Sequence, residues 1–307
     1  MWWYASVVAA VRARIGASYP LELELAFVAL VLLVWHAVRI PLEGSVDVSL
    51  EHAASVLRVE DALAIDIEAS VIQRASETGF APVLAWLYSN IHLPILFGFI
   101  AAVRLLRPDR YPRVRTIFVL SFVPAVVVIG AYPLAPPRWL SELGLGPAPR
   151  AAELSSSGAL FHNETAAAAS QHFGFALFVA AVSLWLFPTS RLLWLALAYP
   201  ALIFVVIVGT GNHYVIDCVV GSLTFLLAAL AARFLHGNAA AAGAPAQPGA
   251  AAVVALGYGL VAWGLVSLDV TAPATWSNVG DALILAIGVA AVLSPRFGVK
   301  EALTESG

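Results

Sequence analysis

Residues 192–235 read LLWLALAYPALIFVVIVGTGNHYVIDCVVGSLTFLLAALAARFL. Two apolar runs, 192–209 and 213–235, meet at Gly209-Thr210-Gly211-Asn212-His213-Tyr214-Val215-Ile216-Asp217. A helix needs about 20 mostly apolar residues to cross a hydrocarbon core about 30 Å thick, and each run meets that length. The joint carries a histidine and an aspartate, groups that a bilayer penalises wherever they have no task. This is the pattern of a membrane bundle with a polar site between its helices.

Working outward, six more stretches qualify as spans, approximately 22–41, 80–105, 116–136, 165–187, 250–268 and 279–295. The chain has 307 residues, 61% hydrophobic and 11% charged, with mean hydropathy +0.88. So few charges cannot cover a soluble fold, and the same balance excludes disorder. A formal net charge of −3 gives no reason to expect a nucleic-acid partner. The single cysteine, Cys218, excludes a disulfide framework and any cysteine-based metal site. The expected fold class is all-α: a polytopic membrane protein with a six-helix core and a two-helix C-terminal hairpin.

The organisation follows from composition. Residues 1–21 form an interfacial amphipathic segment, with Tyr4, Val7, Val8, Val11 and Ile15 at helical spacing behind an anchor of Trp2 and Trp3. Residues 22–236 are the six-span core, and 237–249 is a flexible linker rich in alanine, glycine and proline. The hairpin covers 250–295 and a cytoplasmic tail covers 296–307. The 42–79 connection mixes apolar residues with eight acids, the pattern of short amphipathic helices that collar the outer surface.

Arginine placement orients the bundle. Arg104, Arg107, Arg110, Arg113 and Arg115 crowd the connection between the second and third spans, a cytoplasmic signal. With that loop inside, 11 of the 16 cationic residues lie inside and both termini are cytoplasmic. Arg39, Arg58, Arg74, Arg138 and Arg150 remain at or near the outer face.

Polar groups from four distant segments then converge on the outer leaflet: Tyr88, Asn90 and His92; Arg138; Ser170 and His172; His213 and Asp217. His213 and Asp217 are four apart, so they share a helix face, and the carboxylate fixes the tautomer of the ring. The other ring nitrogen is left as a nucleophile or base. His172 at the same level is its acid/base partner. Arg138, held by the prolines before it, is a guanidinium placed for phosphate. Thr210 or Asn212 is expected to cap the helix, whose exposed N–H groups favour an anion. Ser170, Thr210 and Asn212 therefore join Arg138 as candidate phosphate-binding residues. Tyr88, Asn90, His92 and Tyr214 are candidate substrate contacts, although packing explains His92 and Asn90 equally well. Asn163-Glu164-Thr165 matches a glycosylation sequon.

Arg138, Ser170-Gln171-His172 and His213-x3-Asp217 together resemble the three motifs of the type 2 phosphatidic acid phosphatase superfamily. Tyr132-Pro133-Leu134-Ala135-Pro136-Pro137-Arg138, His213-Tyr214-Val215-Ile216-Asp217 and Tyr88-Ser89-Asn90-Ile91-His92-Leu93-Pro94 are similar to the branch containing inositol phosphorylceramide synthases. The resemblance covers roughly residues 22–236. It implies a six-helix bundle with a metal-independent site and no cofactor. His213 would form a phosphohistidine, Asp217 would orient it, His172 would protonate the leaving group, and Arg138 would stabilise the equatorial oxygens. The implied substrate is a phospholipid or polyprenyl phosphate at the outer leaflet of a cell membrane.

Three departures stand out. The first-motif lysine has no counterpart, Ala169 and Gln171 replace a proline and a glycine, and Ile207 replaces an arginine. Fewer cations suit a monophosphate or phosphodiester better than a diphosphate, unless Arg74 or Arg150 fills the gap. Hydrolysis leads as the expected activity, with phospho-headgroup transfer as the runner-up and a non-catalytic lipid-binding relative as a further alternative. A transporter of duplicated halves is disfavoured, because no internal repeat is visible. The oligomeric state is not legible.

Overall fold

The computed structural model describes residues 16–139 and 163–236. The expected segment 1–21 (up to residue 15), the 237–249 linker, the 250–295 hairpin, the 296–307 tail and Arg150 lie outside the described residues. Within them the chain is helical: α1 (Leu21–Arg39), α2 (Val46–Ala62), α3 (Glu68–Glu77), α4 (Ala81–Asn90), α5 (His92–Leu106), α6 (Tyr111–Ala131), α7 (Gln171–Leu186), α8 (Leu193–Gly209) and α9 (Val215–His236). Short 3-10 turns follow α1 at Ile40–Leu42 and precede the undescribed connection at Pro137–Trp139.

Four units are long and apolar enough to cross a membrane: Leu21–Leu42, Ala81–Leu106, Tyr111–Ala131 and Val215–Arg233. Large apolar side chains stay exposed around the bundle, among them Val123, Val127, Leu184, Leu192 and Leu230. A soluble protein rarely leaves so much apolar surface open, whereas lipid tails solvate it. The chain is an all-α, multi-pass membrane protein.

The sequence expectation and the structure part company at helix ends, each time for a local reason. The second span is two helices broken at Ile91, because Pro94 lacks an N–H and its ring crowds the carbonyl of Asn90. The third span stops at Ala131, ahead of the Pro133–Pro137 run, and not at 136. The fourth begins at Gln171 and not at 165: Ser170 accepts the Phe173 N–H at 3.3 Å and caps α7, leaving the alanine run outside it. The last begins at Val215 and not at 213. At 16 and 17 residues, α7 and α8 are about 24–26 Å long, short of a full crossing. Non-helical backbone precedes α7 and follows α8.

That backbone satisfies its own hydrogen bonds, as burial demands. Leu134 N–H donates to Thr165 at 2.7 Å and Ala167 N–H returns to Leu134, forming a parallel bridge between Leu134 and Ala166. Ala135 N–H donates to the Ser49 carbonyl at 3.1 Å. The alanines of 166–169 let these two segments lie close together under α2. Asn163 is buried, donates to the Arg39 carbonyl and accepts from both Thr165 donors. The apparent sequon is therefore a structural turn.

Inside the bundle, Phe118, Phe122, Phe175, Phe178 and Phe225 interlock at centroid separations of 5.1–6.5 Å. Lipid is as apolar as these rings, so close packing and small residues hold the helices together. The closest crossing joins α7 to α9. A Cβ on Gly174 would lie 2.7 Å from the Phe225 ring, and one on Gly221 would lie 2.2 Å from the Ser170 carbonyl oxygen. Ser170 N–H also donates to the Asp217 carbonyl at 3.2 Å, tying the start of α7 to the start of α9. At the other end, Arg107 donates to the Leu186 carbonyl, so the arginine-rich loop lies at the opposite end of α7 from His172.

Gly221→Ala forces two backbones apart. It is expected to lower stability by about 1–3 kcal/mol, read as a reduced thermal midpoint in detergent, whereas Gly98→Ala, where nothing lies within 4 Å of the added carbon, leaves the midpoint nearly unchanged.

Candidate active site

The turn from α8 to α9 is fixed before any side chain acts. Gly211 takes φ +67°, which only glycine adopts without strain. Its N–H donates to Val208 and the Asn212 N–H to Ile207, a Schellman ending for α8. The Gly211 carbonyl accepts the Arg138 N–H at 2.9 Å, and a Cβ at Gly211 would meet the Arg138 backbone at 3.1 Å. This turn brings Arg138 beside Asn212 and His213 although 74 residues separate Arg138 from Asn212.

His213 precedes α9. Its Nδ1 lies 3.0 Å from the Ala167 carbonyl oxygen and 3.5 Å from Asp217 Oδ2. Both neighbours accept, so Nδ1 carries a proton, and the neutral ring keeps a lone pair on Nε2. The shorter contact goes to the carbonyl. The expected His213–Asp217 pair is present, with His213 just before the helix and not within it, and the Ala167 carbonyl is a second acceptor for the same Nδ1–H. Asp217 Oδ2 also accepts the Tyr214 N–H at 2.8 Å, the return half of a capping box.

The His172 ring stands 6.2 Å from the His213 ring, centroid to centroid. Tyr88 stacks on His172 at 4.4 Å and His92 leans on it at 4.6 Å. His92 Nδ1 is 2.9 Å from the hydroxyl of Tyr199, a buried α8 residue that the sequence reading missed. Arg138 is buried, and its Nη1 donates to Asn212 Oδ1 at 2.5 Å. Its Nε–H has no hydrogen-bond partner. A buried guanidinium N–H left open, on a side chain bonded to the residue just before His213, suits an incoming oxyanion.

Not every expected residue joins them. Asn212 Nδ2 donates to Thr210 Oγ1 at 2.8 Å, and the Thr210 hydroxyl donates to the Val206 carbonyl. The two side chains therefore form a brace behind Arg138, and neither caps the helix. Ser170 is fully buried as the cap of α7. Asn90 donates to the Trp86 carbonyl within its own helix. Tyr214 is fully buried among Ala53, Val56, Leu134, Ala135, Ala167 and Ala168, away from a substrate-contacting position.

The start of α9 holds the largest correction. Its N–H groups are not open to an anion, because Val215 N–H donates to Glu68 Oε1 at 2.8 Å and Ile216 N–H to Glu60 Oε1 at 2.7 Å. Buried carboxyl groups from α2 and α3 thus accept the first N–H groups of α9. Glu60 lies on the buried face of α2 with Ser49, Ala53 and Val56, an acid on an apolar stripe, and that spacing is the signal that could have revealed it. The turn between the two helices puts Ala64 at φ +55°, a conformation usually left to glycine, and so aims both acids at one helix end. Among the described residues no three His, Cys, Asp or Glu side chains gather as a metal-ligand set.

Burial pushes Glu60 up to about 8 from its ordinary 4.5, with Glu68 adding to the shift and the Ile216 N–H opposing it. A carboxyl raised on folding binds more protons in the folded state. Its contribution to stability is therefore greatest below about 4.5 and declines as pH rises to about 8. Thermal midpoints measured across this range are expected to fall with pH in the wild type and to fall less in Glu60→Gln.

The family model described as the PAP2 superfamily matches residues 54–231. No curated protein and no solved structure matches the chain. The match spans α2 through most of α9, and so contains Arg138, His172, His213 and Asp217 together with the two capping acids. By this match over more than half its length, the chain belongs to the PAP2 superfamily.

Proposed function

We propose that the chain is a lipid phosphate phosphatase working at the outer leaflet of a cell membrane. The observation that carries this reading is the fixed Nδ1–H tautomer of His213, with the His172 ring 6.2 Å away and Arg138, whose Nε–H is unpartnered, bonded to the adjacent Asn212. PAP2 membership supports phosphatase or phosphotransferase chemistry in general. The arginine-rich far end of the bundle supports a cytoplasmic assignment for that end, by the excess of arginine there. The site end then faces outward, with both termini inside.

In the proposed reaction, His213 Nε2 attacks phosphorus. A P–N bond forms, the ester P–O bond breaks, and the leaving alkoxide takes a proton from His172. The negative phosphate beside His172 favours the imidazolium that this step needs. Water then gives a proton to His172 and attacks phosphorus, and the P–N bond returns its electron pair to His213. Asp217 stabilises the positive charge on His213 while the phosphohistidine exists. Arg138 neutralises the non-bridging oxygens in a site poor in water, where such contacts are strongest. No step in this scheme calls on a metal or a cofactor. The substrate is a phospholipid or polyprenyl phosphate with a single phosphate.

A second reading, phospho-headgroup transfer of the inositol phosphorylceramide synthase kind, shares the intermediate and replaces water with an alcohol. The wording of Tyr132–Arg138 and His213–Asp217 favours it. The test uses purified protein in mixed micelles with phosphatidic acid, a polyprenyl phosphate and phosphatidylinositol, with and without a diacylglycerol or ceramide acceptor. Phosphate release is expected in the wild type, its loss in His213→Ala, and a fall of roughly 10²–10⁴-fold in His172→Ala. An acid-labile phosphoryl group on His213 should be trapped on rapid quench. A new phospholipid without phosphate release selects the transferase. Equal silence of wild type and His213→Ala across the panel selects a non-catalytic lipid-binding relative.

A further inference from the structure

His213, Asp217, His172 and Arg138 have tasks in the proposed reaction, and the imidazole packed on His172, that of His92, has none. His92 opens α5 and is 5% exposed. Its ring centroid lies 4.6 Å from that of His172, with the two planes tilted by 47°. Tyr88, one turn earlier in α4, stacks on the same His172 ring at 4.4 Å. Phe175, one turn after His172 in α7, packs on His92 at 5.5 Å. Packing asks only for an aromatic ring at this place. A phenyl ring would fill it without burying two polar nitrogens.

One of those nitrogens has a partner and the other does not. Nδ1 lies 2.9 Å from the hydroxyl of Tyr199, a buried residue of α8. A phenol is a stronger acid than a neutral imidazole, and an imidazole nitrogen is the better acceptor. The Tyr199 O–H therefore donates to Nδ1, and His92 carries its own proton on Nε2. This tautomer is the reverse of the one at His213, where Nδ1 holds the proton. The Nε2 of His92 is buried and has no hydrogen-bond partner. A donor left open in a buried place is costly until an acceptor arrives, and the ring that carries it lies against the acid of the proposed reaction.

We propose that His92 is a further catalytic residue of this site, whose Nε2–H donates a hydrogen bond to the ester oxygen leaving phosphorus, and that Tyr199 is the positioning residue that fixes its tautomer. The proposal rests on the functional reading above for the reaction and for His172 as its acid. The leaving oxygen has to come within hydrogen-bond reach of His172, and so arrives next to the ring packed on it. Negative charge grows on that oxygen as the P–O bond breaks. A fixed N–H stabilises the charge while His172 delivers the proton, and no proton leaves His92. Hydrolysis and headgroup transfer share this half of the reaction, so the assignment holds for either acceptor.

The test uses the purified full-length chain in detergent and reads phosphohistidine formation in a single turnover by rapid quench. Two substrates are compared: a short-chain phosphatidic acid, and its analogue with sulfur in place of the bridging ester oxygen. The thiolate of the analogue leaves without a proton and accepts hydrogen bonds weakly. His92→Phe keeps an aromatic ring and is expected to slow the step about tenfold with the oxygen ester, the effect of losing one hydrogen bond to a charged group. The loss with the sulfur ester is expected to be several-fold smaller. Tyr199→Phe is expected to show the same pattern at smaller size, and His92→Gln, which keeps an N–H donor, to recover part of the rate. These two variants carry the test if His92→Phe does not fold. Equal losses with the two esters mark a packing role, and overturn the proposal while the phosphatase reading stands. So does an unchanged rate with the oxygen ester in a folded His92→Phe protein while His172→Ala loses it. A wild type that forms no phosphohistidine with either ester removes the phosphatase reading, and the proposal with it.

Discussion

A backbone N–H without a partner at membrane depth costs several kcal/mol, and this site is built largely from backbone that is not helical. Residues 132–139, 163–170 and 210–214 interrupt the bundle at the same end. Each is tolerated because the others satisfy it: Leu134 with Thr165 and Ala167, Ser170 with Asp217, Arg138 with Gly211. The same exchange leaves the Ala167 carbonyl free to hold His213 Nδ1. The tautomer on which the proposed chemistry depends is thus a by-product of how the interrupted segments pair.

The amphipathic collar is drawn into the same logic. Helix starts normally attract anions, and a phosphate could have competed for the start of α9. Glu60 and Glu68 occupy its first N–H groups instead, which leaves the proposed phosphate to side chains. Arg138 is braced by Asn212 and Thr210. A guanidinium held by neighbours needs little rearrangement when charge develops on a phosphoryl group. The helix termini supply position, and Arg138 supplies charge.

Much of this was legible in the sequence. Apolar runs located the four helices long enough to cross a membrane and the two shorter apolar helices α7 and α8, because hydrocarbon thickness sets a simple length rule. The convergence of Tyr88, His92, Arg138, His172, His213 and Asp217 followed from alternating span directions. The errors cluster where side chains act on backbone: the start of α7, the cap of α9, and the roles of Ser170, Thr210, Asn212 and Tyr214. Glu60 and Glu68 looked like two more acids in a polar collar, since a carboxyl group facing a helix end 147 or 156 residues away leaves only a faint trace in its own local pattern.

The sequence by itself determined the membrane class, the apolar helices of the bundle and the end at which reactive groups gather. These depend on hydropathy and chain direction, which are local or cumulative properties. Only the tertiary structure decided which acceptors hold His213, which acids cap α9 and which side chain holds Arg138. Those choices depend on contacts between residues far apart in the chain, such as the 46-residue separation of Ala167 and His213 and the 156-residue separation of Glu60 and Ile216. A spacing rule along one helix cannot report them, because the geometry is set by where separate helices end against one another.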